Sequence, residues 1–220
     1  MIIFYAGILV KNRDDLGKFG KGLVKHVLFL VPIIALLILE PHISTSMVII
    51  FTCCVMLIMA GCKFWQFLAT GAVLAGGIGS IATVLYFVSD KFQERFQYIV
   101  TRVITFTDPW QDATGDGWQV IQSLYAIGSG GLFGTGLGDG KQKYLYLPEP
   151  HNDFIFSVLA EELGFVGCLV VFALFAVFIW RGILIAMKAP DMFGSLVAVG
   201  ITSLVGIQAL INIAVVTSSM

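Results

Sequence analysis

Apolar residues in this chain come in long unbroken runs, not in the one-sided stripes of a soluble helix. The runs Val24–Glu40, Thr45–Gly61, Phe64–Val88, Phe154–Trp180 and Phe193–Val216 are each about long enough to cross a roughly 30 Å hydrocarbon core. They predict spanning helices, and Met1–Val10 reads as the tail of another. Pro32 predicts a kink in the first full span, its freed carbonyl satisfied by neighbouring helices. Gly76, Gly77 and Gly79 suit close helix packing in the third. Between the third and fourth runs the pattern changes. Over Lys91–Ile104, Phe92, Phe96, Ile99 and Val103 recur at helical spacing with Arg95 and Arg102 elsewhere, which predicts an amphipathic helix at the membrane surface. Asp108-Pro109-Trp110 reads as a turn, Asp112–Gly117 as loop, and Trp118–Ile127 as a second short helix. The expected fold is therefore all-α: a polytopic transmembrane helix bundle of about five to six spans, one integral-membrane domain over residues 1–220, with a long loop over residues 90–153.

Composition supports the membrane reading: 58% hydrophobic against 12% charged residues, mean hydropathy +0.92, leaves too little polar surface to cover a soluble core of this size. Charge then orients the bundle. Lys11, Arg13, Lys18, Lys21 and Lys25 precede the first full span, Lys63 lies between the second and third, and Arg181 and Lys188 between the fourth and fifth. The segment Asp90–Asp153 instead carries eight acids against five bases. By the positive-inside rule the short basic loops are cytoplasmic and residues 90–153 extracytoplasmic, in a multi-pass protein of the cytoplasmic membrane. Cys53, Cys54, Cys62 and Cys168 lie in or beside apolar helices without metal-ligand spacing and read as small packing residues. The N-terminus opens partway through a span and INIAVVTSSM closes inside one, so the chain reads as a fragment of a longer protein.

Candidate chemistry concentrates in the long loop, about sixty residues and so longer than a mere connection. Gly128–Gly140 (GSGGLFGTGLGDG) holds seven glycines. It lacks the GxxxxGK[ST] pattern of a nucleotide loop. Two readings stand beside that one. In the first it is a flexible re-entrant or surface loop whose Leu132, Phe133 and Leu137 dip into lipid. In the second it is a backbone wall admitting a bulky lipid-linked headgroup. Lys141 and Lys143 follow at once, and with Arg102 they are candidates to neutralise a pyrophosphate, the guanidinium through paired hydrogen bonds. Pro148 and Pro150 keep Glu149 extended, and His151 and Asn152 lead into Asp153. Either Asn152 or Asp153 suits the N-cap of the next helix; a capping carboxylate can also act as a base. Glu161 and Glu162 lie on that helix, roughly 80° and 180° around from Asp153. Intramembrane carboxylates rarely meet lipid, so at least one should face a polar interior or pair with a base. Glu40, before Pro41, is a further candidate at about the depth of Asp153. No metal site is expected.

Two stretches, RVITFTDPWQDATGDGWQVIQSLYAIGSGGLFGTGLG (Arg102–Gly138) and QKYLYLPEPHNDFIFSVLAEELGFVG (Gln142–Gly167), closely resemble the SEDS family of bacterial cell-wall glycosyltransferases (shape, elongation, division and sporulation proteins). The QSL and QKYLYLPE forms are more like its division and sporulation branch than its elongation branch. The resemblance implies a ten-helix fold of which this chain covers helices four to nine. It also implies polymerisation of lipid II into glycan strands, a lipid-linked glycan on undecaprenyl pyrophosphate as donor, and a class B penicillin-binding transpeptidase with other division proteins as partners. It implies that Asp153, matching the aspartate of the family's H-x-D-F motif, is the essential catalytic acidic residue, which in the expected mechanism takes the acceptor hydroxyl's proton. A divalent cation is compatible with the pyrophosphate chemistry. One departure stands out: Glu40-Pro41-His42 has histidine where the family has aspartate. The competing readings are a lipid II flippase using Glu40, Glu161 and Glu162 along a polar path, and a non-catalytic scaffold of the division machinery. The scaffold alone would not require Asp153.

Overall fold

The computed structural model describes residues 1–13, 43–63, 65, 93, 109–112, 117–140 and 154–217. The expected spans Val24–Glu40 and Phe64–Val88 and the amphipathic helix Lys91–Ile104 lie outside these residues, apart from isolated positions. Among the described residues every element is helical: α1 (Ile2–Lys11), α2 (Ile43–Met59), a 3-10 turn (Pro109–Asp112), α3 (Gly117–Gly130), α4 (Ile155–Lys188) and α5 (Met192–Val216). The all-α membrane fold expected from the sequence is the fold observed. The tail of a helix at Met1–Val10, the run Thr45–Gly61, the short helix Trp118–Ile127 and the run Phe193–Val216 each appear within a few residues of their expected bounds.

α4 and α5 are long and apolar enough to cross a membrane. Their exposure distinguishes them from the core helices of a soluble protein. Only 11% of the most apolar stretch of α4 and 22% of that of α5 is buried. Leu174, Trp180, Ile185 and Leu210 are each about two-thirds exposed. A helix apolar all round and bare to its surroundings calls for an apolar environment, lipid or further helices, around it.

The chain forms two compact units, Met1–Thr83 with Val177–Gln208, and Val84–Ala176 with Ala209–Met220. In the first, side chains make the core. Tyr5 and Leu9 of α1, Met56 and Leu57 of α2 and Leu196 of α5 are fully or almost fully buried in one cluster, with Cys53 and Cys62 among them. Cys62 lies past the end of α2, where burial pushes its thiol up and leaves it a packing group. α5 approaches closely because Gly200 has no side chain: a Cβ there would strike Ile2 and come 2.9 Å from Met56 Sδ. Gly182 likewise lets α4 pass against Thr202 of α5. The ends are capped by ordinary local chemistry. Gly61, at φ 100°, closes α2 with Gly61 N–H donating to Ile58 O (3.1 Å) and Cys62 N–H to Leu57 O (3.2 Å), a Schellman arrangement. Asp191 caps α5, accepting from Gly194 N–H at 3.3 Å.

Candidate functional site

In the second unit the 3-10 turn, α3, the glycine loop and the start of α4 come together. Trp110 meets Tyr125 edge-to-face, ring centroids 6.2 Å apart. Ser123 is wholly buried on α3, its Oγ 2.8 Å from both the Val120 and Val216 carbonyl oxygens, so one hydroxyl ties α3 to the end of α5. Phe154 and Val216 are buried together, with Ile127 and Phe156 packed on them.

The main departure from the sequence reading is in α4. The run Phe154–Trp180, expected as one spanning helix, is two helical arms that meet at Gly164. That residue has φ 67° and ψ −168°, a conformation essentially closed to any side-chain-bearing residue. Phe156 and Phe172 stack at 5.5 Å with their planes 25° apart. Sixteen residues of straight helix would separate them by about 24 Å, so the arm 155–163 folds back along the helix 165–188. Hydropathy could not reveal this, because both arms are apolar. α4 opens at Ile155, with Val158 N–H (3.3 Å) and Ser157 N–H (3.1 Å) donating to Phe154 O; the expected caps Asn152 and Asp153 lie outside the described residues.

A break in a helix leaves carbonyls at the end of one arm and N–H groups at the start of the next without partners. The glycine loop supplies partners for two of the carbonyls and two of the N–H groups. In an unbroken helix Phe165 N–H would donate to Glu161 O and Val166 N–H to Glu162 O. Here Phe165 N–H donates to Gly131 O (2.9 Å) and Val166 N–H to Leu132 O (3.1 Å). In exchange Thr135 N–H donates to Glu161 O (2.9 Å) and Gly136 N–H to Glu162 O (3.2 Å). Thr135 Oγ1 adds a second donor to Glu161 O at 3.1 Å. The glycines follow from this backbone-on-backbone contact. A Cβ on Gly130 would collide with the Ala160 carbonyl, one on Gly134 with the Glu162 carbonyl, and one on Gly164 with Gly134 N. Gly134 also needs its φ of 80°. Gly130 and Gly134 therefore serve to dock the loop on α4. Leu132, Phe133 and Leu137 remain 64%, 82% and 79% exposed, pointing away from that contact.

Glu161 and Glu162 are the expected site residues that the described structure places. Glu161 is 3% exposed and Glu162 is half-buried. Both carboxylates approach Gly140: Glu161 Oε2 lies 3.0 Å and Glu162 Oε1 3.2 Å from where a Cβ on that glycine would stand. They sit within three residues of the turn at Gly164. Arg102, Lys141, Lys143, Glu149, His151, Asp153 and Glu40 lie outside the described residues. Sequence reasoning missed Thr135 and Gly164. Their signals were a threonine between two glycines, Gly134-Thr135-Gly136, and the Gly164…Gly167 pair interrupting an apolar run.

The whole chain, residues 1–220, matches the family model described as cell cycle protein FtsW/RodA/SpoVE. It is 42% identical over 218 residues to stage V sporulation protein E of Bacillus subtilis (strain 168), covering 99% of this chain and 56% of that protein. It is equally 42% identical over 217 residues to the probable peptidoglycan glycosyltransferase FtsW of Geobacter sp. (strain M18), with the same coverage. The fold matches a chain from a solved structure described as structural coordination of polymerization and crosslinking by a peptidoglycan synthase complex. The TM-score is 0.68 at 25% identity, over 96% of this chain and 57% of that one. The chain thus spans a little over half the length of the relatives it matches.

Proposed function

From the premise that this chain belongs to the FtsW/RodA/SpoVE family of cell cycle proteins, we propose that it is part of a peptidoglycan glycosyltransferase polymerising lipid II at the outer face of the cytoplasmic membrane. The observation that carries this reading is the match over all 220 residues, with relatives at 42% identity of which one is named for that activity. The growing strand, linked through its reducing-end sugar to undecaprenyl pyrophosphate, is the donor. The acceptor is the C4 hydroxyl of the terminal N-acetylglucosamine of lipid II.

In this reaction Asp153 takes the acceptor hydroxyl's proton as its oxygen attacks the donor's anomeric carbon. The bond to pyrophosphate breaks with inversion, and the electron pair leaves on the phosphate. A sugar hydroxyl is a poor nucleophile at neutral pH, so a placed base contributes on the order of 10²–10⁴-fold. Arg102, Lys141 and Lys143 meet the charge growing on the leaving pyrophosphate. Glu149, His151 and Glu40 bind the sugars and peptide nearby. A class B penicillin-binding transpeptidase is the partner that cross-links the product. Lipid-borne substrates account for a site at the bilayer edge, where sugars meet water and prenyl chains stay in hydrocarbon.

The test uses a protein carrying this chain at the full length of its relatives, incubated with the transpeptidase partner and lipid II. Glycan strands are resolved on a gel for the parent and for Asp153→Asn. Strands from the parent and at least 100-fold fewer from a folded, partner-binding variant are expected. Equal strands from both would remove Asp153 from the chemistry.

A further inference from the structure

The loop and the broken helix carry an inference that rests on the glycosyltransferase reading and deepens it. We propose that Gly130–Gly136 is a splint that holds the arm 155–163 folded back, with Thr135 as a positioning residue for the reaction at the other end of that arm. Three observations converge on this. The loop exchanges two donors and two acceptors with the two arms, so it stands in for two of the helix's own bonds, Phe165 to Glu161 and Val166 to Glu162. Thr135 donates twice, from its amide and from Oγ1, to the single carbonyl of Glu161. The opposite end of the arm is fixed as well, by the Phe156–Phe172 stack and by Phe154 buried against Val216.

A helical arm about two and a half turns long and fixed at both ends moves as one rod. Each residue of slippage at Glu161 rotates Phe154 by about 100° and shifts it by about 1.5 Å. Phe154 is the residue next to Asp153 in sequence, and a misplacement of about 1 Å can cost on the order of 100-fold in rate. The glycine motif, read from sequence as a surface for the substrate, thereby acquires a mechanical role away from the reacting atoms. The release of the loop would also leave the two arms with mutually compatible hydrogen-bonding groups, so the alternative to the splinted state is a straightened helix.

Two readouts test this in the full-length protein in membranes, with Cys53, Cys54, Cys62 and Cys168 replaced by alanine. The first is oxidative cross-linking of Phe156→Cys to Phe172→Cys. The expected result is efficient bond formation that falls at least tenfold when Gly134→Val or Gly164→Ala is added. Cross-linking undiminished by both would overturn the splint. The second is polymerisation kinetics of Thr135→Val and Thr135→Ser with Phe156 and Phe172 intact. The valine variant should lose about five- to tenfold in kcat with KM for lipid II within about twofold, and serine, which keeps the hydroxyl, should restore it. Unchanged kcat in the valine variant, or a loss that serine does not rescue, would overturn the positioning role. A parent that makes no glycan overturns the catalytic reading and Thr135's part in it, while the cross-link still decides the splint.

Discussion

The two units of this chain are held together by different parts of the polypeptide. In the first, Tyr5, Leu9, Met56, Leu57 and Leu196 interlock through their side chains, and among the described residues the backbone bonds lie within helices and caps. In the second, the contact between the glycine loop and α4 is made by main-chain donors and acceptors, while Leu132, Phe133 and Leu137 are turned outward. Within a bilayer the first kind of contact rests on van der Waals packing, since lipid tails are as apolar as leucine. The second rests on satisfying groups that hydrocarbon cannot satisfy. Side-chain packing tolerates small losses; backbone docking at Gly134 and Gly164 leaves no room for a single carbon.

That contrast orders the expected effects. The largest belong to Gly134→Ala and Gly164→Ala, which place a Cβ on backbone atoms at φ 80° and φ 67°. Each should destabilise the second unit by more than about 3 kcal/mol, read as a fall in the detergent-solubilised melting temperature together with near-complete loss of polymerisation. If either variant matched the parent in both, the docking geometry would be wrong. Leu9→Ala or Met56→Ala should cost about 2–4 kcal/mol by leaving a cavity, while cross-linking of Phe156→Cys to Phe172→Cys stays at the parental level. Loss of that cross-link would show that the two regions do not respond separately. Ser123→Ala should cost about 1 kcal/mol, since it removes the hydroxyl that reaches Val216 O. At the small end Gly128→Ala, inside α3 with open space around it, should be stabilising by up to about 1 kcal/mol. A destabilised Gly128→Ala would mean that the loop's glycines are required as a set, not position by position.

The sequence pattern located the helices better than it located their directions. α5 and α2 were legible because an apolar run has the same signature whatever it packs on. The fold-back in α4 was not. Residues 155–163 and 165–188 are equally apolar, and the deciding fact is the backbone conformation of one glycine. Glu161 and Glu162 were marked as costly intramembrane acids, but their carbonyls proved as consequential as their carboxylates, and carbonyls leave no trace in composition. The glycine motif was recognised as a place of close approach. What approaches it, the turn of α4, came only with the fold. The catalytic assignment to Asp153 rests on family resemblance, because an acid beside a helix start is equally a cap by sequence alone.

Gly164 also sets how much membrane this chain can match. As one straight helix, the 34 residues of α4 would measure about 51 Å against a hydrocarbon core of roughly 30 Å. The surplus would have to be absorbed by steep tilt or by thickening of the lipid around it. Turned at Gly164, the spanning part shortens to about 36 Å and fits with a moderate tilt. One achiral residue thereby works as a length gauge, trimming an overlong greasy segment to the thickness of the bilayer.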